Sequence, residues 1–350
     1  MLCEQIKIDI EALELIEIQG DYLEGGGQLL RTSVALSAIT GKPCKIFNIR
    51  KNRENPGLKA QHLKGIETAA EICNAELKNA KIGSDWIEFV PKKIKSGNFS
   101  IDIKTAGSLT LFLQTIIPVC IHADKEINLE VIGGTDVEWS PNVEYFQEVF
   151  CRNVERMGVE IESEILKYGF YPKGGGKIKV RIKPCDKLKP WVCLERGKVN
   201  RYDIRSIASK SLERAKVAER QIEGAKKIIP KFDCEYSEYV EALSPGTAVH
   251  IHAHCDNSVL GSTFLGRIGK PAEKIGEECA RFLMKQIESN ACLDEHMADQ
   301  ILLYMALAGK SKVSVAEITN HCRTNMWVIE KFLPVKFEIN EKERIISLKP

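Results

Sequence analysis

Three stretches of this 350-residue chain share one layout, and this internal repetition most constrains the fold. Each stretch has an apolar helix, a two-residue turn, a β-rich run and a polar loop, followed by a second helix and two strands. The three segments are QLLRTSVALSAITGKPCKIFNIRKNR, LTLFLQTIIPVCIHADKEINLEVIGGTD and MADQILLYMALAGKSKVSVAEITNH. This pattern predicts an α+β fold built from three repeated helix–sheet units, with helices covering the sheets.

The turns place the three segments in register. The turn residues are Gly41, Asp124 and Gly309. Ten residues earlier a polar residue interrupts each apolar helix, and these residues are Arg31, Gln114 and Asp299. Twelve residues later each strand ends at a polar residue: Arg53, Asp136 and His321. A polar residue within an apolar helical face needs a partner or a ligand. The register therefore favours one shared site, although gene duplication alone could leave three similar capping or loop residues.

Residues 190–288 lack the repeat and have strands and helices of their own, so we predict a smaller inserted α/β domain there. The three-repeat domain would then comprise residues 1–189 and 289–350. A hydrophobic fraction of 44% is enough for a sizeable core. The net charge of +2 excludes a chain that coats nucleic acid, so any site for a polyanion must be local.

The same composition predicts a cytoplasmic protein. The sequence contains no run of 18 apolar residues, so it predicts no membrane span, and the N-terminus does not have the pattern of a signal peptide. The twelve cysteines include no C-x-x-C pair and lie in apolar segments, so we expect reduced thiols in the core.

Two loops of the first segment have the composition of phosphate sites. In EGGGQLLR, residues 24–31, glycines precede a helix whose N-terminus can bind an anion, although a flexible turn would have the same sequence. In IRKNRENPGLKAQH, residues 49–62, Arg50, Lys51 and Arg53 lie in one loop. Arginine suits bidentate phosphate contacts, but such a run is also typical of a solvated loop.

Two other motifs do not support the sites that they suggest. AGKS, residues 308–311, would be a phosphate-binding loop only with glycine at Tyr304, and it runs from helix to strand. HIHAHC places His250, His252 and His254 on one face of a strand, about 7 Å apart, which is too far for one zinc ion. We expect a solvent-facing strand of the insert there.

TNHCRTN, residues 319–325, places His321 between a strand and a helix. By itself this histidine has the features of a structural residue. In register with Arg53 and Asp136 it is a candidate nucleophile, because a neutral imidazole can attack phosphorus. Cys322 is a rival nucleophile, but nothing beside it in the sequence predicts a lowered thiol pKa.

Over nearly its whole length the chain resembles the RNA 3′-terminal phosphate cyclases. The motifs that carry the resemblance are EGGGQLLRTSVALS, IRKNRENPGLKAQHL, AGSLTLFLQT, GGTD, GFYPKGGGKIKV, DEHMADQILLYMALAG and TNHCRTN. The resemblance implies repeats similar to those of enolpyruvyl transferases and conversion of an RNA 3′-phosphate to a 2′,3′-cyclic phosphate with ATP. It also implies that His321 is adenylylated and that Mg²⁺ or Mn²⁺ assists.

The resemblance extends to individual residues. It implies an ATP-binding set of Gln114, His296, Met297, Ala298, Asp299 and Gln300. It implies a second set, for RNA phosphate and activity, of Glu24, Arg31, Arg50, Arg53 and Gln61. Two residues depart from the family's pattern. Bacterial members often have tyrosine where this chain has His296, and a basic residue is usual where it has Tyr168.

Three other functions remain open from the sequence. The first is a non-catalytic, cyclase-like protein of ribosome assembly, which would lack the nucleophilic histidine. The second is an enolpyruvyl transferase on a similar repeat, and the third is a metal-binding module built on HIHAHC. The resemblance implies that the partner is an RNA with a 3′-phosphate end and that no membrane is involved. It leaves the oligomeric state open, so the protein could be a monomer or an oligomer.

Overall fold

The computed structural model describes residues 14–23 and 25–349, which form four four-stranded sheets with helices packed against them in a mixed, α+β arrangement. Over those residues, no helix has both the length and the apolar character needed to cross a membrane. Each sheet contains parallel and antiparallel strand pairs.

The first sheet has the order β1-β2-β4-β3 and carries two helices. Its elements are β1 (Ile16–Gln19), α1 (Gly27–Thr40), β2 (Cys44–Phe47), α2 (Ala60–Cys73), β3 (Glu76–Lys78) and β4 (Ile87–Val90). Helix α1 ends at Gly41, whose φ of 71° lies in the left-handed region that glycine adopts without strain. The predicted turn after the first apolar helix is therefore present.

The second sheet has the order β5-β6-β8-β7. Its elements are β5 (Gly97–Asp102), α3 (Leu109–Cys120), β6 (Ile127–Gly133), a continuous helix made of α4 (Val143–Tyr145), a π-helical turn (Phe146–Cys151) and α5 (Arg152–Glu155), and then β7 (Ile161–Lys167) and β8 (Gly176–Ile182). Ser108 caps α3, because its hydroxyl accepts a hydrogen bond from the Leu111 N–H at 3.2 Å. This cap fixes where α3 begins.

Strand β9 (Val192–Cys193) precedes a sheet of order β11-β10-β12-β13, called here the fourth sheet. The fourth sheet and its helices comprise β10 (Val199–Ser209), a 3₁₀ turn (Lys210–Ala215), α6 (Val217–Lys226), β11 (Cys234–Val240), β12 (Thr247–Cys255), β13 (Val259–Leu265) and α7 (Ala272–Glu288). Most of its buried apolar side chains form a core of their own, whereas Ile207 and Val259 belong to the core shared by the other three sheets.

The third sheet joins β9 to the C-terminal part of the chain, in the order β9-β14-β16-β15. Its later elements are α8 (Glu295–Gln300), α9 (Leu302–Ala308), β14 (Lys312–Ser314), α10 (Asn320–Phe332), β15 (Phe337–Asn340) and β16 (Ile345–Leu348). Helix α9 ends at Gly309 with φ 68°, at the turn that the sequence predicted.

The first three sheets have the same connectivity. In each, the first and second strands are parallel, and the last strand of the unit lies antiparallel between the second and the third. Strand β9, which the prediction assigned to residues 190–288, pairs with β14 and not with the fourth sheet. Two-residue strands are too short to show a sequence periodicity, so this strand could not be recognised beforehand.

Two expectations from the sequence are wrong. Strand β12 does not face solvent: it lies between β10 and β13, and His250 and His252 are buried because this face packs against α4. The cysteines are not all reduced, because Cys193 and Cys292 form a disulfide across 99 residues of sequence. Each of these cysteines is paired by the tertiary fold, which residue spacing does not reveal.

Candidate active site

His321 lies in the first turn of α10, and its side chain is exposed. The helix begins there because the Thr319 hydroxyl accepts a hydrogen bond from the Cys322 N–H at 3.3 Å. The neighbouring Cys322 is buried, and burial raises the pKa of its thiol to about 12, with the charge of Asp299 adding to the effect. Cys322 is therefore a thiol at neutral pH, which removes it as a rival nucleophile.

Gln28 of α1 fixes the orientation of the His321 ring. Its side-chain Nε2 donates to Oδ2 of Asp299 at 2.5 Å and approaches the His321 carbonyl oxygen at 3.3 Å. Both partners accept hydrogen bonds, so the amide NH₂ must point toward them, and Oε1 then faces Nδ1 of His321 at 2.7 Å. In the neutral ring this bond places the proton on Nδ1 and the lone pair on Nε2.

Gln28 lies within the EGGGQLLR stretch but was not among the residues predicted for the site. The signal in the sequence was an amide side chain one turn before Arg31, at the start of an apolar helix. In the structure Gln28 is 6% exposed, and a buried amide needs hydrogen-bond partners. Those partners lie 271 and 293 residues away in sequence, which is why their identity could not be predicted.

Asp299 connects the histidine to a cation. Burial raises the pKa of its carboxyl to about 6, and the charges of His321, Arg31 and His296 act in the opposite direction. Arg31 of α1 is half-buried, and desolvation lowers its pKa to about 10, while Asp299 opposes that shift. A guanidinium with this pKa remains charged at neutral pH, so Arg31 supplies positive charge near Asp299, which also interacts with His321.

Helices α1, α8 and α10 are held together around this group. Asn325 of α10 donates to the backbone oxygen of Asp299 at 2.9 Å and accepts from the Thr32 hydroxyl of α1 at 2.7 Å. These two bonds fix the relative positions of the three helices that carry Asp299, Gln28 and His321. Of the register residues, Arg31, Asp299 and His321 therefore meet.

The predicted ATP-binding stretch coincides with α8. The exposed ring of His296 stacks on Phe282, with centroids 5.4 Å apart and planes 12° apart. Met297 and Ala298 are fully buried beneath the exposed part of α8. Gln300 accepts a hydrogen bond from Gln114 of α3 at 2.9 Å, which brings the two predicted ATP-binding segments together.

The carboxylate of Asp294 caps α8 and links it to two other elements. It accepts hydrogen bonds from the N–H groups of His296 and Met297, at 3.0 and 2.9 Å. It also accepts from the Tyr145 hydroxyl at 2.6 Å and from the Gly261 N–H of β13 at 3.0 Å. One buried carboxylate thus joins α8, α4 and the fourth sheet.

The arginine loop borders the N-terminus of α1. Arg50 donates to the backbone oxygens of Asn55 and Gly57, at 3.0 and 3.3 Å, so its guanidinium braces the loop. Burial lowers the pKa of Arg50, and the charge of Arg53 lowers it further. Arg53 is exposed, and its Nη2 lies 3.4 Å from the position that a Cβ on Gly26 would occupy. The guanidinium of Arg53 therefore lies within van der Waals reach of residue 26, next to the start of α1.

His62 of α2 lies under the N-terminus of α1. It was not among the residues that the sequence predicted for the site. A Cβ on Gly27 would be 2.2 Å from its Nε2, so glycine is required for this close packing. Burial lowers the pKa of His62 to about 3, and the charges of Arg31, Arg50 and Lys59 lower it further. These cations surround a helix N-terminus, which is the arrangement that favours a phosphate.

Three residues that the sequence singled out lie apart from this cluster or outside the described residues. Gln61 accepts a hydrogen bond from the Ser108 N–H at 3.3 Å, so it bridges α2 and the start of α3. Glu24 lies outside the described residues. Asp136, a register residue, is buried against the fourth sheet, where it accepts from Asn142 at 2.8 Å and lies 3.5 Å from Nε2 of His250.

In the part of the chain that the structure describes, no group of three or more His, Cys, Asp or Glu side chains could hold a metal ion. The described residues therefore do not fit a metal site made by protein ligands alone. Mg²⁺ commonly binds through substrate phosphates and one or two carboxylates, so a divalent cation would have to bind largely through the phosphates.

The fold and the site define a protein class: an α+β protein in which an oriented imidazole lies beside a cationic helix N-terminus. The chain belongs to the RNA 3′-terminal phosphate cyclase family, whose family model matches residues 22–339.

Its relatives include proteins named RNA 3′-terminal phosphate cyclase from three organisms. The protein from Pyrobaculum aerophilum is 44% identical over 333 residues, covering 93% of this chain and 95% of the relative. The protein from Methanopyrus kandleri is 43% identical over 342 residues, covering 95% of this chain and 97% of the relative. The protein from Thermococcus onnurineus is 43% identical over 331 residues, covering 93% of this chain and 96% of the relative.

Proposed function

We propose that this protein converts an RNA 3′-terminal phosphate to a 2′,3′-cyclic phosphate at the expense of ATP, through a covalent His321–AMP intermediate. The observation that carries the proposal is the 2.7 Å contact between Nδ1 of His321 and Oε1 of Gln28. With the proton held on Nδ1, Nε2 has the lone pair that attack on phosphorus requires.

The reaction has three steps. Nε2 of His321 bonds to the α-phosphorus of ATP while the bond to pyrophosphate breaks, and pyrophosphate leaves. An oxygen of the RNA 3′-phosphate then attacks that phosphorus, the N–P bond breaks, and the imidazole is restored. Finally the neighbouring 2′-hydroxyl attacks the terminal RNA phosphorus, loses its proton and expels AMP, which leaves the cyclic phosphate.

The residues around His321 supply charge and orientation for these steps. Arg31 would stabilise the negative charge that develops on the α-phosphate, because a charged group in a partly buried site needs no reorganisation during the reaction. Gln114 and the α8 stretch His296–Gln300 would bind ATP, with the exposed His296 ring as the surface on which the adenine stacks. Mg²⁺ or Mn²⁺ would enter with the triphosphate and neutralise part of its charge.

The RNA 3′-phosphate would bind at the N-terminus of α1. Arg53 offers an exposed guanidinium there, while Arg50 positions the loop and Gln61 connects it to α3. We assign Glu24 to the same subsite. This arrangement would bring the RNA phosphate to the side of the imidazole at which the AMP is held.

We also propose that the first three sheets are copies of one unit, similar to the repeats of enolpyruvyl transferases, and that the fourth sheet is an inserted domain. The shared connectivity of the three sheets supports the first statement, and the separate core of the fourth supports the second. The insert would then begin after β9. Such an enzyme would work in the cytoplasm, where ATP and RNA ends are available.

The test is incubation with α-labelled ATP and Mg²⁺ or Mn²⁺, followed by recovery of the protein. We expect acid-labile, alkali-stable label on the wild type and on His122→Ala, in which an exposed histidine distant from the site is removed, and none on His321→Ala. Gln28→Ala should label about 10- to 100-fold more slowly, because the ring loses its orienting bond.

The contrary result would be an unlabelled wild type that still binds ATP but does not cyclise RNA 3′-phosphate. The protein would then act by binding RNA without catalysis. Equal labelling of the wild type and His321→Ala would place the nucleophile elsewhere.

A further inference from the structure

The loop of residues 168–175, which joins β7 to β8, has exposed side chains that its packing does not explain. Its glycines are accounted for: a Cβ on Gly174 would lie 2.9 Å from the Cα of Ala106, and one on Gly175 would lie 2.5 Å from Cδ1 of Leu243. Tyr171, in contrast, is 75% exposed, and Lys173 is exposed beside it. An exposed aromatic ring next to a cation is a common element of nucleic-acid surfaces.

This loop is contiguous with the proposed RNA phosphate subsite. Gly174 packs on the backbone of Thr105 and Ala106. The next residue, Gly107, adjoins Gln61, since a Cβ there would lie 3.0 Å from the Gln61 Cβ. The surface from Gln61 to Tyr171 is therefore continuous and passes over the loop that precedes α3.

The charge along this surface suits a phosphate backbone. Lys104 is exposed and has a φ of 60°, a left-handed conformation that is unfavourable for lysine and is common at functional positions. Among the described residues, the ion pairs of the fold include neither Lys104 nor Lys173, and Asp102 bonds to the backbone N–H of Lys104 at 2.8 Å. Two exposed lysine side chains thus lie on this surface outside the ion pairs of the described residues, and their charge can attract a phosphate.

The fourth sheet completes one edge of this surface. The Lys173 N–H donates to the Ser244 hydroxyl at 3.1 Å, and Leu243 is 52% exposed beside Gly175. Tyr171 and Leu243 together provide an exposed apolar area that a nucleobase can cover. The surface defined by Lys104, Tyr171, Lys173 and Leu243 is called here the hairpin surface.

We propose that the hairpin surface binds the nucleotides that precede the phosphorylated 3′ end of the RNA, with one base stacked on Tyr171 and backbone phosphates on Lys104 and Lys173. This inference rests on the proposed function, because it places the RNA end beside Gln61. The surface would give the protein affinity for longer RNA without reading its sequence, since stacking accepts every base.

The first test compares the KM of cyclisation for a dinucleotide 3′-phosphate with that for a ten-nucleotide RNA 3′-phosphate. We expect Tyr171→Ala to raise KM for the longer RNA about tenfold and to leave KM for the dinucleotide and the rate of self-adenylylation unchanged. Tyr171→Phe, which keeps the ring, should restore the wild-type KM.

Lys173→Glu should also raise the KM for the longer RNA. It should reduce the slope of the logarithm of the RNA-binding constant against the logarithm of salt concentration by about one. Lys342→Glu is the matched control, because Lys342 is an exposed lysine in the β15–β16 turn, which corresponds to the β7–β8 turn in the third sheet. It should leave both quantities unchanged.

Binding of a fluorescent, 3′-phosphorylated RNA, measured by anisotropy, separates this inference from the proposed function. If the wild type binds and cyclises the longer RNA while Tyr171→Ala and Lys173→Glu match it in both assays, the hairpin surface is not an RNA site. An equal loss for dinucleotide and longer RNA would also overturn the inference, because the effect would then lie at the terminal phosphate. A wild type that binds RNA through these residues but makes no cyclic phosphate would contradict the proposed function alone.

Discussion

At the scale of single residues, the orientation of the His321 ring depends on the side-chain amide of Gln28, which has a donor NH₂ group on one side and an acceptor oxygen on the other. Gln28 can accept from His321 because its NH₂ group is already directed to Asp299. The opposite amide orientation would place a donor against Nδ1 and move the lone pair to the wrong nitrogen. Asp299 thus acts on His321 through Gln28, and its backbone oxygen accepts a hydrogen bond from Asn325, which lies on the same helix as the histidine.

His62 gives a prediction about pH at this scale. Its folded-state pKa of about 3 lies below the value of about 6.5 for an unfolded histidine. Between those values only the unfolded chain binds the proton, so the free energy of unfolding falls as pH decreases below about 6.5. Between pH 7.5 and pH 5 the free energy of unfolding of the wild type should therefore fall. In His62→Gln we expect this fall to be smaller by about 1–2 kcal/mol.

The measurement is guanidinium unfolding of both proteins at the two pH values. Asp299, whose raised pKa acts in the opposite direction, is present in both proteins, so the difference between them isolates His62. Equal losses in the two proteins would mean that His62 is protonated as readily in the folded state as in the unfolded chain.

At the scale of elements, α8 is a short helix whose first turn depends on Asp294. The six residues Glu295–Gln300 are too few to be stable as an isolated helix, so contacts at its ends determine its position. Asp294 supplies four of these contacts and reaches both Tyr145 and Gly261. The proposed ATP-binding stretch is therefore attached to the second and fourth sheets through one carboxylate.

Asp294→Ala should lower the free energy of unfolding by about 3 kcal/mol, because it removes a helix cap and leaves the Gly261 N–H and the Tyr145 hydroxyl unpaired. Asp294→Asn keeps one acceptor oxygen and should lose about 1 kcal/mol. Both variants should raise the KM for ATP in self-adenylylation.

Asp256→Ala is the control for these two variants, since Asp256 is an exposed aspartate that accepts from the Lys198 N–H at 2.8 Å. The measurements are urea unfolding and the ATP dependence of labelling. An Asp294→Ala protein with unchanged KM for ATP would show that α8 keeps its position without the cap.

At the scale of the whole molecule, the sequence predicted the arrangement of helices and turns better than the partners of buried polar groups. Apolar spacing and the turns at Gly41 and Gly309 indicated the helices, because these are local signals. The sequence did not reveal strands β1, β5, β9 and β13, the burial of His250 and His252, or the partners of Gln28. Each of these depends on contacts between segments far apart in sequence, which residue spacing cannot show.

The disulfide between Cys193 and Cys292 is a prediction at this scale. It closes a loop around the fourth sheet with a sequence separation of 99, which in the chain-entropy model stabilises the fold by about 4–5 kcal/mol. Alkylation of the unfolded, unreduced protein should leave two cysteines unmodified, and Cys193→Ser with Cys292→Ser should lower Tm. Full alkylation without reductant, together with an unchanged Tm in the double variant, would contradict this prediction.

The sequence separation of 293 between Gln28 and His321 sets the order in which the two residues are made during synthesis. A ribosome adding about 5–20 residues per second would make α1 roughly 15 to 60 seconds before α10 emerges. Throughout that interval the nascent chain has the glutamine and the arginine loop but not the histidine that they serve. A chain whose translation stops early would thus lack the residue that carries the proposed nucleotide intermediate, however well its first two sheets have folded.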